Sequence, residues 1–88
     1  MKYQEIEKSY KALANRRRVA TIHFLYKENR ARVNNISENI KLSFKSTSRH
    51  LQVLKAIGMI DSEQVGLEQY YYLTDKNNLF IKHLLSLL

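Results

Sequence analysis

Between Lys41 and Gly58 the chain carries Lys41, Lys45, Arg49 and Lys55 and no acidic residue. The centre of this stretch, Ser43-Phe44-Lys45-Ser46-Thr47-Ser48-Arg49-His50-Leu51, crowds guanidinium, ammonium, imidazole and hydroxyl groups into a few positions. Such groups suit the recognition of a nucleic acid. Guanidinium and imidazole donate to base edges or phosphate, and short hydroxyl side chains let the backbone approach closely. The spacing predicts a helix, because Phe44, Thr47, Leu51 and Leu54 recur three and four residues apart and so share one side. Lys45, Ser46, Arg49 and His50 then fall on its other faces, within the first two turns. Thr47 lies on the apolar row as well as in the polar run, so burial is its other reading. Ser43 can accept a hydrogen bond from a free N–H of the first turn. Gly58 sits where a left-handed residue ends a helix. Taken alone, the same residues also describe an ordinary solvated helix end.

No comparable set of residues points to catalysis. There is no cysteine, which excludes disulfides, zinc–thiolate sites and thiol nucleophiles. The chain has no Gly-rich phosphate loop, no G-x-S-x-G and no H-E-x-x-H. His23, His50 and His83 fall on three different predicted helices without ligand spacing. The expectation is therefore no enzyme, no catalytic residue, no metal and no cofactor.

Eighty-eight residues make one domain with a modest core, and 44% hydrophobic residues exclude compositional disorder. With no proline and only Gly58 and Gly66 as glycines, mostly helix is expected. The net charge is +7, and it is unevenly spread: residues 1–58 hold 13 basic and 4 acidic residues, residues 59–88 only 2 and 4. A basic surface of this kind favours a polyanion through counterion release. The basic residues form no single amphipathic face and no apolar run approaches about 20 residues, so no membrane partner and a cytoplasmic location are expected.

The elements that must position the reading stretch follow in order. A first helix over residues 2–14 shows a narrow seam of Tyr3, Ile6, Tyr10 and Leu13. It suits either the domain's own core or a partner chain. Asn15 caps a second helix from Arg16 to about Glu28, with Val19, Ile22, Leu25 and Tyr26 as its buried stripe. Arg16, Arg17 and Arg18 occupy its first turn, where the helix dipole disfavours cations. They read as a solvated charge run or, for Arg16 and Arg17, as phosphate contacts, with an internal ion pair as the alternative for Arg18. Arg30–Val33 form a connector with room for one β-bridge. Asn34–Lys41 form a short third helix, with Asn35 and Glu38 at capping-box spacing and room for a start one or two residues earlier. Together with the Ser43–Gly58 helix this makes a helix-turn-helix over 34–57. Two β-type segments, 59–64 and 67–73, flank Gly66 as the turn of a hairpin, the wing. Thr74 or Asp75 caps a last helix, roughly Asn77 to Leu88, whose Leu79, Phe80, Ile81, Leu84, Leu85, Leu87 and Leu88 cover more than one face. So broad an apolar surface predicts a partner. Small size without disulfides also favours assembly.

The residues Ala12-Leu13-Ala14-Asn15 with Arg18, Leu42-Ser43, Ser48-Arg49-His50-Leu51 with Leu54, Ala56-Ile57-Gly58-Met59-Ile60, Gly66 and Tyr70-Tyr71-Tyr72-Leu73 carry a family resemblance. Over about Ser9 to Leu85 the chain resembles the ArsR-type winged-helix transcriptional repressors of prokaryotes. The resemblance implies a mostly α, α+β winged helix-turn-helix of about five helices with a two-stranded wing. It implies a homodimer built from residues 1–14 and 75–88, here through Tyr3, Ile6, Tyr10, Leu79, Phe80, Leu84, Leu87 and Leu88. Double-stranded DNA, in the form of a palindromic operator, would be met by Lys41, Lys45, Ser46, Thr47, Ser48, Arg49 and His50, with Arg16, Arg17 and the wing turn at Gly66.

Two departures from the family pattern stand out. The metal-sensing cysteines of the third helix are replaced by Val33-Asn34-Asn35-Ile36-Ser37-Glu38, and the last helix offers only Asp75 and His83, so no metal sensing is expected. Leu67 and Glu68 follow the wing glycine where an arginine is common, which moves the burden of DNA contact to the fourth helix and the Arg16–Arg18 region. A winged helix used for protein–protein contact is the alternative function, since fold does not fix function. The cationic, acid-free 41–58 stretch argues against it.

Overall fold

The computed structural model describes all of Met1–Leu88. Helix α1 (Tyr3–Leu13) leads through Ala14 into Asn15, whose side chain accepts from the N–H groups of Arg17 and Arg18 at 3.0 and 3.2 Å and so caps α2 (Arg16–Glu28). Strand β1 is only Ala31–Arg32. It runs directly into α3 (Val33–Ile40), and α4 (Phe44–Ala56) follows after a short turn. Strands β2 (Ile60–Val65) and β3 (Glu68–Leu73) form the hairpin, and α5 (Leu79–Ser86) closes the chain.

The core lies where α2, α3 and α4 meet the base of the hairpin. Ile22 and Leu25 of α2, Ile36 and Ile40 of α3, and Leu51 and Leu54 of α4 pack with Met59, Ile60, Leu73 and Ile81 in one buried cluster. The predicted apolar rows therefore meet one another, as periodicity requires. At two positions a row runs past the core. Phe44 and Tyr26 lie on the predicted inner stripes, yet they are 61% and 45% exposed. Phe44 is the first residue of α4 and overhangs its end, and the Tyr26 ring faces outward with the Lys76 ammonium 5.7 Å from its centroid.

The sheet has three antiparallel strands in the order β1-β3-β2, so the expected two-stranded wing is extended by the connector. Ala31 pairs with Tyr71 and Arg32 with Tyr70. The hairpin register runs from Ile60 opposite Leu73 to Val65 opposite Glu68, leaving Gly66 and Leu67 as a two-residue turn. Gly66 has φ +64° while Leu67 keeps a negative φ, the pattern of a type II′ turn. Tyr71 packs on the core and Tyr70 lies on the opposite face under Arg30, as strand alternation dictates.

Two caps differ from expectation. Helix α3 starts at Val33, one residue before Asn34 and within the expected margin, but the Asn35–Glu38 capping box does not form; the Asn35 side chain accepts from Arg32 Nε at 3.2 Å instead. Helix α5 is capped by Asn78, which accepts from Phe80 and Ile81, and is shorter than Asn77–Leu88. Thr74 donates instead to the Gly58 carbonyl, and Asp75 accepts from the Asn77 N–H.

Candidate nucleic-acid interface

Helix α4 is held by its inner row and by both of its ends. Ser43 caps it by accepting from the Ser46 N–H at 3.1 Å. At the other end Gly58, φ +78°, completes a pair of terminal bonds, Gly58 N–H to Lys55 O and Met59 N–H to Leu54 O. This is a Schellman motif, and it turns the chain straight into β2. Thr47, Leu51 and Leu54 are buried. Lys45, Arg49 and Gln52 therefore project from the opposite face and are exposed, with Ser46 and Ser48 half-buried beside them.

Thr47 leaves the reading set. It is fully buried, and its hydroxyl has no hydrogen-bond partner. His50 is half-buried on the side of α4 that faces α2. Burial holds its imidazole below the usual histidine range, and the guanidinium groups of Arg18 and Arg17 push in the same direction.

The three arginines of α2 have separate fates. Arg17 Nη1 donates to the Ile40 carbonyl and, at 2.8 Å, to the Lys41 carbonyl. Arg18 Nε donates to the Ala12 carbonyl at 2.6 Å. All three acceptors lie at helix C-termini, of α3 and α1. The cations that start α2 at its unfavourable pole thus reach the favourable poles of two neighbours. Arg18 forms no ion pair; a backbone carbonyl is its partner. Arg17, expected on phosphate, ties α2 to the turn between α3 and α4, while Arg16 is exposed. Lys41 is exposed in that turn, in a left-handed conformation with φ +56°. The spacing of the arginines gave no sign of this role, because the acceptor carbonyls are 23 and 24 residues away in sequence.

The wing is close to electrically self-contained. Arg30 pairs with Glu63 at 3.2 Å and Arg32 with Glu68 at 3.5 Å, and the Arg30 guanidinium lies 4.4 Å from the Tyr70 ring centroid. Arg32 ends β1 and Arg30 immediately precedes it; the connector had room for a β-bridge, but its pairing with β3 was not legible in so short a strand. Gly66 supplies the turn, and Leu67 beside it is 99% exposed.

The other notable surface is apolar. A groove of 710 Å³ runs between α1 and α5, lined by Ile6, Tyr10, Leu79, Phe80, Leu84, Leu87 and Leu88 together with Leu13 and Val19. Tyr10 and Phe80 meet edge to face at 5.2 Å. Seven of the eight residues expected in a dimer seam are thereby gathered; Tyr3 is 91% exposed and does not line the groove. No group of three or more His, Cys, Asp or Glu side chains is placed to hold a metal ion. No helix is long and apolar enough to cross a membrane.

No family model matches the chain. The cadmium resistance transcriptional regulatory protein CadC of Listeria innocua is 33% identical over 78 residues, covering 89% of this chain and 63% of its own length. The chain thus spans a little under two thirds of that relative. Among solved structures, the transcriptional regulator HlyU from Vibrio vulnificus superposes with a TM-score of 0.79 at 27% identity, covering 96% of this chain and 88% of that one. Mb0332 of Mycobacterium bovis, described as a homodimeric winged helix-turn-helix DNA-binding domain and a possible ArsR-family regulator, gives a TM-score of 0.82 at 24% identity, covering 96% and 75%. In fold the chain is a winged helix-turn-helix domain, and in sequence it is similar to transcriptional regulators.

Proposed function

We propose that the chain is a sequence-specific DNA-binding transcriptional regulator, a homodimeric repressor that places two copies of α4 in successive major grooves of a palindromic operator and does so without sensing a metal. The observation that carries this reading is the outer face of α4. It is cationic and free of acids, and its inner row and both caps fix it to the core. The regulators among its relatives agree with it.

In this reading Arg49 and Lys45 lead the contacts, with Ser46, Ser48 and Lys41 close to the backbone and His50 and Arg16 at the flank. Two reading helices about 34 Å apart match one turn of B-DNA. One protomer measures 39 Å along its longest axis and supplies one such helix, so the second comes from another copy joined through the α1–α5 groove. Cadmium favours soft thiolate ligands, and these 88 residues offer none. A metal-independent repressor fits that composition.

The test is selection of bound duplexes from a random pool, followed by anisotropy titration at two salt concentrations. An enriched two-fold-symmetric sequence, bound with affinity that falls steeply with salt, is the expected result, and added cadmium or zinc leaves it unchanged. Failure to bind any duplex at low salt would replace this reading with that of a protein-interaction module.

A further inference from the structure

We propose that Phe44 is a specificity residue of α4 that contacts the 5-methyl group of a thymine; the inference rests on the DNA-binding reading above. Phe44 is 61% exposed, although the rest of its helical row, Thr47, Leu51 and Leu54, is buried. Its place at the first position of α4 carries it beyond the core, so packing does not account for a large aromatic there.

Its exposure also has no share in the apolar groove of α1 and α5. The part of α4 nearest that region is its C-terminal end, where Ala56 and the following Ile57 line a small pocket together with Phe80 and Met1. Phe44 lies at the opposite end of the helix, about 18 Å along its axis. A partner seated in the groove would leave it uncovered.

Its neighbours indicate what does cover it. Lys41 and Lys45 are exposed on either side, Ser43 and Ser46 keep the helix start slim, and no acid occurs in the surrounding sequence. A helix start of this kind is the part of a reading helix that reaches base edges. The one apolar feature on the floor of the major groove is the methyl group of thymine, and phenylalanine is among the side chains that meet it. The cations hold the phosphates while the ring loses its water against the methyl.

Replacing thymine by uracil removes that methyl and leaves every hydrogen-bonding group in place. The experiment starts from the duplex enriched by selection, replaces each thymine in turn by uracil, and titrates wild-type protein and Phe44→Ala by anisotropy. One thymine per half-site, at the edge of the α4 footprint, is expected to cost wild type about fourfold on replacement, the worth of one buried methyl. Phe44→Ala binds the thymine duplex more weakly and no longer distinguishes it from the uracil one. An unchanged thermal melt shows that the variant is folded, as its exposure leads one to expect. If wild type binds an enriched duplex but no replacement matters, or Phe44→Ala retains the full uracil penalty, the inference is overturned and the DNA-binding reading stands. If no duplex is bound, both fall.

Discussion

Thr47 carries a buried hydroxyl that meets no partner, and a buried hydroxyl without a hydrogen bond is costly. Thr47→Val keeps the shape and removes the group. It is expected to raise stability by about 1 kcal/mol in urea melts and to leave DNA affinity unchanged. Arg49 is the opposite case, exposed and unneeded by the core. Arg49→Ala is expected to leave the melt alone, to cost about 1–3 kcal/mol on the preferred duplex and to relax base preference at one position. Equal losses on preferred and random duplex would make it a phosphate contact. His50 gives a pH dependence whose sign follows from its environment. Its folded pKa is depressed by burial and by Arg18 and Arg17, so below its ordinary value of 6.5 the unfolded chain takes up the proton first. Stability is then complete above about pH 6.5 and declines as pH falls through and below it. Melts at pH 7.5 and 5.5 check this, and His50→Gln is expected to shrink the difference.

At the scale of elements, the wing is where charge and role part company. Its two glutamates are spent on Arg30 and Arg32. Exposed pairs of this kind contribute only about 0–1 kcal/mol each. Replacing both Glu63 and Glu68 by Gln is therefore expected to change stability little, yet to tighten DNA binding a few-fold at low salt, because two negative charges go and two guanidiniums become available to phosphate. Weaker binding would mean that the pairs set the wing in place for a contact of its own. The elements also show which features a sequence discloses. The bounds of α2 were legible because Asn15 is a strong cap beside an amphipathic run. The α4 helix was legible because an apolar row, a serine cap and a terminal glycine agree. Thr74 and Asp75 are the cap candidates for α5 in the sequence, but Asn78 is the cap: all three have cap-forming side chains, and Thr74 is drawn to the Gly58 carbonyl while Asp75 accepts from Asn77 before the helix begins. Strand β1 owes its existence to β3, and the partner of Arg17 is the end of another helix. Neither is written in local pattern. Phe44 and Tyr26 show the limit of periodicity, which gives a side chain's direction but not where the core stops.

For the whole molecule, the greatest unmet demand is the apolar groove between α1 and α5. Leu79 and Leu87 stand 74% and 73% exposed at its rim, so replacing them does not disturb the core of one protomer. Leu79→Lys and Leu87→Lys are each expected to give a folded monomer by light scattering and to lower affinity for a two-fold-symmetric duplex by about 100-fold or more, because the second half-site is then no longer tethered to the first. A lysine variant that stays dimeric would place the seam elsewhere.

The Arg17 bridge has a consequence for how such a protein changes over generations. It grips main-chain oxygens of Ile40 and Lys41, which every amino acid possesses. The tilt at which α4 is presented is thus insulated from what the chain carries on its surface there. On the proposed DNA-binding reading, substitutions at positions 44, 45, 49 and 52 would redirect the molecule to a new target sequence while the cradle behind them stays as it was.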